Sequence, residues 1–414
     1  MTEVKKAPIA LFTARIKSTP ANPHSRSTAF LIARARANKE KQRISPTPRE
    51  REFLSNEWEY QDEHQEGALP KPVGELRYLL NDVTEIFIAG GGGGGRAYPS
   101  AIAEATEFGL DLNKLKVVCA SSVGTIVGLA IALGIPAKRM KQILNDMPTD
   151  TFQDWSWYSF INFFTRWGWC QGESMPHYFR QLIKRETGLD DPTFLQLYQA
   201  GYRKEFRIIT ANVSKQRAAI FSHVTTPHEK VAKIVGLACS IPLVFPPQWI
   251  PNKHGKLEAH SDGGLANNFP FGVGSLASIT SKEQLGFIII NNHGISPSSY
   301  QNPLLTFWHY LRGLITLLFT QDPLCMAATV KDRTVPITVN HNPLNFNATS
   351  QEQAALDEAG RIGVRRFARY RLKKSKTFQP APKMLSSLAL RYRSIQARVE
   401  KTIEPKCSRR FRPR

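Results

Sequence analysis

Two adjacent serines, Ser121 and Ser122, stand in the stretch VVCASSVGTIVG, where a short apolar run passes into a helical pattern. A serine nucleophile on a sharp strand-to-helix turn needs small residues two positions before and two positions after it, because strand and helix approach closely there. Ser122 meets this requirement with Ala120 and Gly124. Ser121 does not, because the bulky Val123 occupies its second following position. The spacing therefore makes Ser122 the candidate nucleophile for acyl transfer.

The alternative is that Ser122 only caps the following helix, since serine is favoured at helix N-termini. The stretch also departs from the Gly-x-Ser-x-Gly pattern of a nucleophile elbow, because Ala120 replaces the first glycine. An added methyl group is tolerated where φ is negative and costs about 1 kcal/mol or more where φ is positive. The serine pair alone does not decide between a nucleophile and a cap.

A serine nucleophile needs a base, and the most conspicuous acidic site is the stretch HSDGGLANNFP, which contains Asp262. Two glycines follow Asp262, and a polar loop follows them. Asp-Gly pairs also form ordinary turns, so this motif is common when taken by itself.

A run of six glycines, residues 90–95, follows the apolar stretch EIFIA and precedes a helical pattern. Ordering a glycine costs more backbone entropy than ordering any other residue, so such a run needs a compensating role. Consecutive backbone N–H groups at a helix N-terminus bind anions, including the oxyanion of acyl transfer, and Arg96 adds a positive charge. A dinucleotide site is weakly indicated, since six glycines match its motif trivially, and a P-loop is excluded because no Lys-Ser/Thr follows.

Together and in this order, GGGGRA, ASSVG and DGG resemble the patatin-like phospholipase family. That family has a glycine-rich oxyanion loop, a Gly-x-Ser-x-Gly elbow and an Asp-Gly-Gly/Ala motif. The stretches PTFLQLYQ, CSIPLVFPP and DGGLANNFP look like the same family, and the resemblance runs from Val83 to Phe367. The AYP that follows the glycine run is similar to that of bacterial toxin-like members delivered into host cells.

The resemblance implies a catalytic dyad in which Asp262 accepts the proton of Ser122 directly. The oxyanion residues that it implies are Gly92, Gly93, Gly94 and Arg96. Ala97 and Ala120 depart from the family pattern at two glycine positions, which puts full activity in doubt more than the fold. The implied reaction is the hydrolysis of fatty-acyl esters, of phospholipase A or lysophospholipase type. It needs no cofactor or metal ion, and the five cysteines show no zinc-ligand spacing.

The alternation of strand, turn and helix predicts an α/β fold with a mostly parallel sheet. The resemblance implies a patatin-like three-layer sandwich, in which helices flank this central sheet. Further strands are predicted at FRIITANV, AAIFSHV, QLGFIIIN and VPITVN. Helices are predicted at HEKVAKIVGLACS and at SQEQAALDEAGRIGVRRFARYRL, the latter with Ser350 as its N-cap.

The net charge of the 414-residue chain is +21, and this charge is unevenly distributed. Residues 76–360 contain 24 Lys and Arg against 22 Asp and Glu, whereas residues 361–414 contain 18 basic residues and two acids. We expect a polar N-terminal arm at 1–75, a patatin-like phospholipase domain at 76–372 and a basic C-terminal tail at 373–414.

Two aromatic stretches raise the question of membrane contact. Residues 154–170 hold four of the seven tryptophans, and residues 304–320 form a second amphipathic candidate. Trp and Tyr favour the headgroup region of a bilayer, although both stretches would also suit a core. The basic tail would suit an anionic membrane surface.

The expected partners are a phospholipid or lysophospholipid substrate and a membrane surface, whereas nucleic acid is not expected because the tail lacks aromatic interleaving. The sequence leaves open whether an activating protein partner is required. No apolar run reaches the roughly 20 residues of a transmembrane helix, and the N-terminus lacks the apolar core of a signal peptide. We expect a cytoplasmic protein, or one delivered into a host cell, with peripheral membrane association.

Two rival hypotheses remain at this point. One is an α/β-hydrolase-type esterase with a Ser-Asp-His triad, completed by His293, His309 or His341. The other is an inactive protein that binds membranes or nucleic acid through its basic tail.

Overall fold

The computed structural model of the chain describes residues 70–148, 163, 165–170, 172–252, 254–275, 281–291 and 330–376. Eight strands in this part of the chain form one sheet. The strands are β1 (Glu85–Ile88), β2 (Val117–Ser121), β3 (Glu205–Asn212), β4 (Arg217–Phe221), β5 (Gln248–Pro251), β6 (Leu257–Asp262), β7 (Gln284–Asn291) and β8 (Thr334–Val339).

The described helices alternate with these strands. They are α1 (Tyr98–Glu107), α2 (Gly124–Ala132), α3 (Ala137–Asn145), α4 (Ser174–Thr187), α5 (Phe194–Gln199), α6 (Val231–Ala238), α7 (Gly264–Asn267) and α8 (Ser350–Lys376). The glycine run itself continues into a short 3₁₀ helix, Gly92–Ala97, that leads directly into α1.

The strand order is β5-β6-β3-β2-β1-β7-β8, with β4 paired to β3 outside this path. The centre of the sheet, from β3 through β2, β1 and β7 to β8, is parallel, and β4, β5 and β6 pair antiparallel. The central strands are almost continuously buried, as expected of parallel strands covered by helices on both faces. The predicted α/β class with a mostly parallel sheet is confirmed.

The prediction for the N-terminus of α8 is wrong by one residue. Thr349, rather than Ser350, is the cap, because its hydroxyl accepts the backbone N–H of Glu352 at 3.2 Å. The carboxylate of Glu352 in turn accepts the backbone N–H of Thr349 at 2.8 Å, which completes a capping box. The sequence Thr-Ser-Gln-Glu offers two hydroxyl residues, and the Glu that closes the box stands three residues after the first of them.

Residues 1–69 of the N-terminal arm, residues 377–414 of the basic tail and the stretch 304–320 lie outside the described residues. The same holds for Trp155, Trp157, Phe160 and Phe164 of the first aromatic stretch. Among the helices that the structure describes, none is long and apolar enough to cross a membrane.

Candidate active site

The register of three strands brings Ser122 and Asp262 together. β2 runs parallel to the first half of β3 and ends where Ser121 lies opposite Ile209. β6 pairs antiparallel with the second half of β3, where Asp262 lies opposite Thr210. The C-terminal ends of β2 and β6 therefore lie next to each other, at consecutive positions of β3. Ser122, which follows β2, and Asp262, which ends β6, are thus brought side by side.

Ser122 occupies the sharp turn between β2 and α2. Its φ is +49°, a left-handed conformation that is uncommon for a residue other than glycine. α2 begins two residues later at Gly124, where a Cβ atom would lie 2.5 Å from the carbonyl oxygen of Ala89. Glycine is required there because the helix terminus packs directly on the end of β1. This geometry is that of a strained strand-to-helix elbow rather than of an ordinary N-cap.

The two departures from the family pattern fall where an extra methyl group is tolerated. Ala120 lies within β2 and is not among the residues with positive φ. Ala97 has a φ of −76°. Neither alanine therefore carries the strain of a left-handed backbone.

The Ser122 hydroxyl donates a hydrogen bond to Oδ2 of Asp262 at 2.9 Å. The other carboxylate oxygen, Oδ1, accepts the backbone N–H of Gly264 at 2.8 Å, which fixes the rotation of the carboxylate. By contrast, Ser121 is fully buried, and its hydroxyl has no hydrogen-bond partner in the described part of the chain. Only one of the adjacent serines thus contacts the acid.

Asp262 is fully buried, and this burial raises the pKa of its carboxyl group to about 7. The hydrogen bonds from Gly264 and Ser122 act in the opposite direction but do not offset the loss of hydration. A carboxylate with a pKa near neutrality is a far stronger proton acceptor than an exposed aspartate, whose pKa is about 3.9.

Histidines in the described residues donate no hydrogen bond to Ser122 or Asp262 and accept none from them. His341 contacts the carbonyl oxygen of Asn345 through Nε2 at 2.9 Å. His260 lies on β6, and its ring contacts Thr210 at 3.1 Å. His293 and His309 lie outside the described residues.

The glycine run passes beside Ser122, and its N–H groups differ in availability. The N–H of Gly93 donates to the carbonyl oxygen of Pro343 at 2.8 Å, and the N–H of Gly94 donates to that of Gly91 at 3.2 Å. The N–H groups of Gly91 and Gly92 have no acceptor among the described residues. Gly91 and Gly92 also line a narrow cavity together with Ser122. Of the three glycines named from the sequence, Gly92 is the one with an N–H group free of a protein acceptor.

The segment that follows β8 lies directly on the glycine run. Gly92 has a φ of +53°, and a Cβ atom there would come within 2.0 Å of the carbonyl oxygen of Pro343. A Cβ atom at Gly93 would come within 1.9 Å of the carbonyl oxygen of Asn345. The glycines therefore allow a second backbone to approach, a role that no pattern in the sequence indicated.

Arg96 points away from Ser122 toward the same segment. Its guanidinium donates to the carbonyl oxygen of Phe346 at 2.6 and 3.1 Å and to Oδ1 of Asn145 at 3.2 Å. Only 8% of the side chain's surface is exposed. In this conformation Arg96 fastens the glycine run to the segment after β8.

Two narrow cavities, of about 60 and 40 Å³, meet at Ser122 and Gly92. The larger one is lined almost wholly by apolar side chains, among them Ile126, Met147, Met175, Val244, Phe245 and Phe346. Of the described His, Cys, Asp and Glu residues, no three lie close enough to hold a metal ion. The site thus combines one serine, one buried acid, free backbone N–H groups and an apolar cavity.

Residues 86–274 match the model of the family Patatin-like phospholipase. The match includes the glycine run, both serines and Asp262. The protein contains a patatin-like phospholipase domain. The chain is also 23% identical over 300 residues to the uncharacterized protein R571 of Acanthamoeba polyphaga mimivirus, an alignment that covers 71% of this chain and 95% of that protein.

The patatin-like domain is also similar to solved structures. VipD from Legionella pneumophila superposes with a TM-score of 0.50 at 15% identity, over 70% of this chain and 67% of that chain. ExoU, in its complex with SpcU from the type III secretion system of Pseudomonas aeruginosa, gives a TM-score of 0.40 at 16% identity. That superposition covers 70% of this chain and 52% of ExoU. At such identities, the similarity to VipD concerns the fold alone.

Proposed function

We propose that the patatin-like domain hydrolyses fatty-acyl esters of membrane lipids, with Ser122 as nucleophile and Asp262 as base. The observation that carries this proposal is the 2.9 Å hydrogen bond from the Ser122 hydroxyl to a fully buried carboxylate. A carboxylate in direct contact with the hydroxyl accepts its proton without an intervening histidine. The left-handed backbone of Ser122 holds the nucleophile in this position.

The reaction proceeds in two halves. In the first, Asp262 takes the hydroxyl proton, Oγ of Ser122 bonds to the ester carbonyl carbon, and the resulting tetrahedral oxyanion collapses. Collapse breaks the bond to the lipid alcohol, which leaves with the proton that Asp262 returns to it. In the second half, Asp262 accepts a proton from water, and the resulting hydroxide bonds to the acyl carbonyl carbon. The second tetrahedral oxyanion collapses with cleavage of the bond to Oγ, Asp262 returns the proton to Ser122, and the fatty acid leaves.

We assign the oxyanion donors to the N–H groups of Gly91 and Gly92. Both glycines line the cavity beside Ser122, and neither N–H group is used by another described residue. One donor of this kind typically lowers the barrier by about 2.7–4 kcal/mol. The N–H of Gly93 becomes available only if it leaves the carbonyl oxygen of Pro343.

The apolar cavity beside Ser122 suits the fatty-acyl chain of the substrate. Its volume of about 60 Å³ is far below the roughly 300–1,000 Å³ of ordinary ligand sites. An acyl chain therefore enters only when the lining side chains move. The two methionines of the lining, Met147 and Met175, are flexible enough for such movement.

The test of the proposed function is lipid mass spectrometry. Membranes incubated with the full-length protein should gain free fatty acid and lysophospholipid. Acyl transfer to Ser122 releases the lysophospholipid, and hydrolysis of the acyl-enzyme releases the fatty acid. Membranes incubated with Ser122→Ala should gain neither. If the wild-type protein and Ser122→Ala leave the same lipid profile, the proposal is wrong.

We further propose that an exposed tryptophan pair contacts the membrane. Trp167 and Trp249 are 56% and 49% exposed, and their ring centroids lie 6.4 Å apart. The segment after Trp167 is joined to the cavity loop, because the N–H of Cys170 donates to the carbonyl oxygen of Val244 at 2.9 Å. Trp249 follows Phe245, another residue of the cavity lining, by four positions. The two described tryptophans of the first aromatic stretch therefore differ: Trp167 is exposed, whereas Trp169 packs against the core.

Replacing both exposed tryptophans by serine should weaken binding to lipid vesicles by about tenfold or more, because burying one large apolar side chain contributes about 1.5–3 kcal/mol. Hydrolysis of a soluble short-chain ester should change little. Val224→Ser, at another exposed apolar residue, is the matched control and should leave vesicle binding unchanged. Unchanged vesicle binding in the double variant, or equal loss of both properties with a lowered melting temperature, would refute the membrane contact. The compartment in which the protein works stays a prediction.

A further inference from the structure

A third cavity, of about 460 Å³, lies next to the larger cavity at Ser122 and shares Met147 with it. It lies between the end of α3, the segment after β8 and the first turns of α8. Its polar lining consists of Arg96, Lys141, Asn145, Asn347, Ser350, Gln353 and Asp357. The volume falls within the range of ordinary ligand sites. No step of the proposed hydrolysis uses this cavity, so its polar lining requires a separate explanation.

The first feature of this cavity is a buried positive charge without a counter-charge. Arg96 is 8% exposed, and its three hydrogen bonds go to the neutral oxygens of Phe346 and Asn145. Within the described part of the chain, no carboxylate lies within ion-pair distance of this guanidinium. A buried charge is costly unless it is paired, so the site favours an anion.

A second cation and a helix terminus face the same space. Nζ of Lys141 pairs with Oδ2 of Asp357 at 2.5 Å, which leaves two of its three N–H donors for other partners. Ser350, in the first turn of α8, lines the same space, and the carboxylate of Glu352 already caps this helix terminus. Asp357 offsets the charge of Lys141, so the charge of Arg96 remains in excess.

The third feature is a buried acceptor with no donor. Gln353 is 9% exposed, and its Nε2 donates to Oδ1 of Asp357 at 3.1 Å. Its Oε1 is itself buried and has no hydrogen-bond partner among the described residues, so the side chain must turn toward the cavity before this oxygen meets a ligand. An unpaired buried amide oxygen is destabilising, and its natural partner is a hydroxyl or amine donor rather than a bare anion. The cavity therefore offers cations and a separate acceptor side by side.

We propose that this cavity binds a phosphate ester that carries a free hydroxyl group, such as a phosphoglycerol or phosphoinositol group. Arg96 and Lys141 receive the phosphate, and Oε1 of Gln353 accepts the hydroxyl once its side chain turns toward the cavity. The ligand is either the headgroup of a lipid or a free polyol phosphate, since both present the same chemistry. Use of the site for a substrate headgroup rests on the proposed function, whereas binding itself does not.

The experiment uses the full-length Ser122→Ala protein, which binds ligands without consuming them. Calorimetric titration with sn-glycerol 3-phosphate and with inorganic phosphate separates the hydroxyl from the anion. We expect glycerol 3-phosphate to bind about tenfold more tightly, because only its hydroxyl reaches Gln353. Absence of binding by both ligands, in solution and on vesicles, would overturn the proposal, and equal affinity for both would overturn its hydroxyl part.

Two added substitutions locate the site. Gln353→Met should lower the affinity for glycerol 3-phosphate about tenfold and leave that for inorganic phosphate unchanged. Lys141→Met, at a side chain that is 42% exposed, should weaken both ligands. Melting temperatures identify a variant that fails to fold. If Gln353→Met fails to fold, Lys141→Met still tests the site. Titrations unchanged by both substitutions would place the ligand elsewhere and overturn the proposal.

Vesicles distinguish the two sources of the ligand. Phosphatidylcholine vesicles that contain phosphatidylglycerol or phosphatidylinositol should bind more tightly than vesicles with equal phosphatidic acid if the site holds a lipid headgroup. Tight binding of the free polyol phosphate without this preference indicates a soluble ligand. A third outcome would overturn the proposal: all anionic vesicles bind equally, Lys141→Met and Gln353→Met leave this binding unchanged, and the free esters do not bind. The attraction would then come from basic residues outside the cavity. These assays need no turnover, so their failure is distinct from the failure of the proposed hydrolysis.

Discussion

Ser122→Ala is expected to abolish ester hydrolysis, whereas Ser121→Ala should keep most of it. Removal of the Ser122 hydroxyl eliminates the atom that we propose to form the acyl-enzyme, and losses of up to about 10⁶-fold in kcat follow from such changes in serine hydrolases. The Ser121 hydroxyl makes no hydrogen bond in the described residues, and Ser121 lines neither of the two cavities at Ser122. Two neighbouring residues of one type should therefore differ by orders of magnitude in their effect.

The stability of Ser121→Ala should also differ little from that of the wild-type protein. Ser121 is fully buried, and its hydroxyl lacks a hydrogen-bond partner among the described residues, so its removal leaves no new unpaired group. A fluorophosphonate probe should label the wild-type protein and Ser121→Ala but not Ser122→Ala, with melting temperatures as the folding control. Labelling that is lost in Ser121→Ala and kept in Ser122→Ala would exclude Ser122 as the nucleophile.

The choice between the two serines could be made from the sequence because it depends on local sterics. Only Ser122 has small residues on both sides, and in the structure Gly124 lies against the carbonyl oxygen of Ala89. The proximity of Asp262 could not be derived in this way. It arises from the register of β2 and β6 on β3, which joins positions 140 residues apart, and only the resemblance to a family indicated it.

The glycine run marks the limit of such predictions. Six identical residues carry no information about which N–H groups remain free. That difference is set by Pro343, about 250 residues away, whose carbonyl oxygen accepts the N–H of Gly93. The same distant segment determines the direction of Arg96, which the sequence associated with the oxyanion. The tryptophan pair was also missed in part, because Trp249 stands alone in the sequence and becomes significant only beside Trp167.

Asp262→Asn is expected to remove turnover and at the same time to stabilise the protein at alkaline pH. Asparagine has nearly the shape of aspartate, and its side-chain oxygen still accepts the N–H of Gly264, but it cannot accept the proton of Ser122. Activity should fall by orders of magnitude with an unchanged circular dichroism spectrum. In the wild-type protein, kcat/KM should rise with pH through an apparent pKa of about 7, because only the ionised carboxylate acts as a base.

The stabilising effect follows from the direction of the pKa shift. Burial raises the pKa of Asp262 to about 7, whereas the unfolded chain has the ordinary value of about 3.9. The folded protein therefore binds this proton more tightly, and stability from this group is full below pH 4 and is lost as the pH rises to 7. The loss amounts to at most on the order of 4 kcal/mol. Asparagine does not ionise, so the variant escapes this loss.

Melting temperatures measured from pH 5 to pH 8 test this result. The curve of Asp262→Asn should rise above that of the wild-type protein as the pH increases, and the two should converge toward acid pH. Ser122→Ala is the matched control, because it loses the hydroxyl but keeps the buried carboxyl group, so its melting temperature should still fall as the pH rises. Parallel curves for Asp262→Asn and the wild-type protein would show that Asp262 has no raised pKa. If Asp262→Asn remained active, the base would have to be another ionisable side chain, because asparagine cannot accept the proton of Ser122. That result would favour a histidine base and the Ser-Asp-His triad.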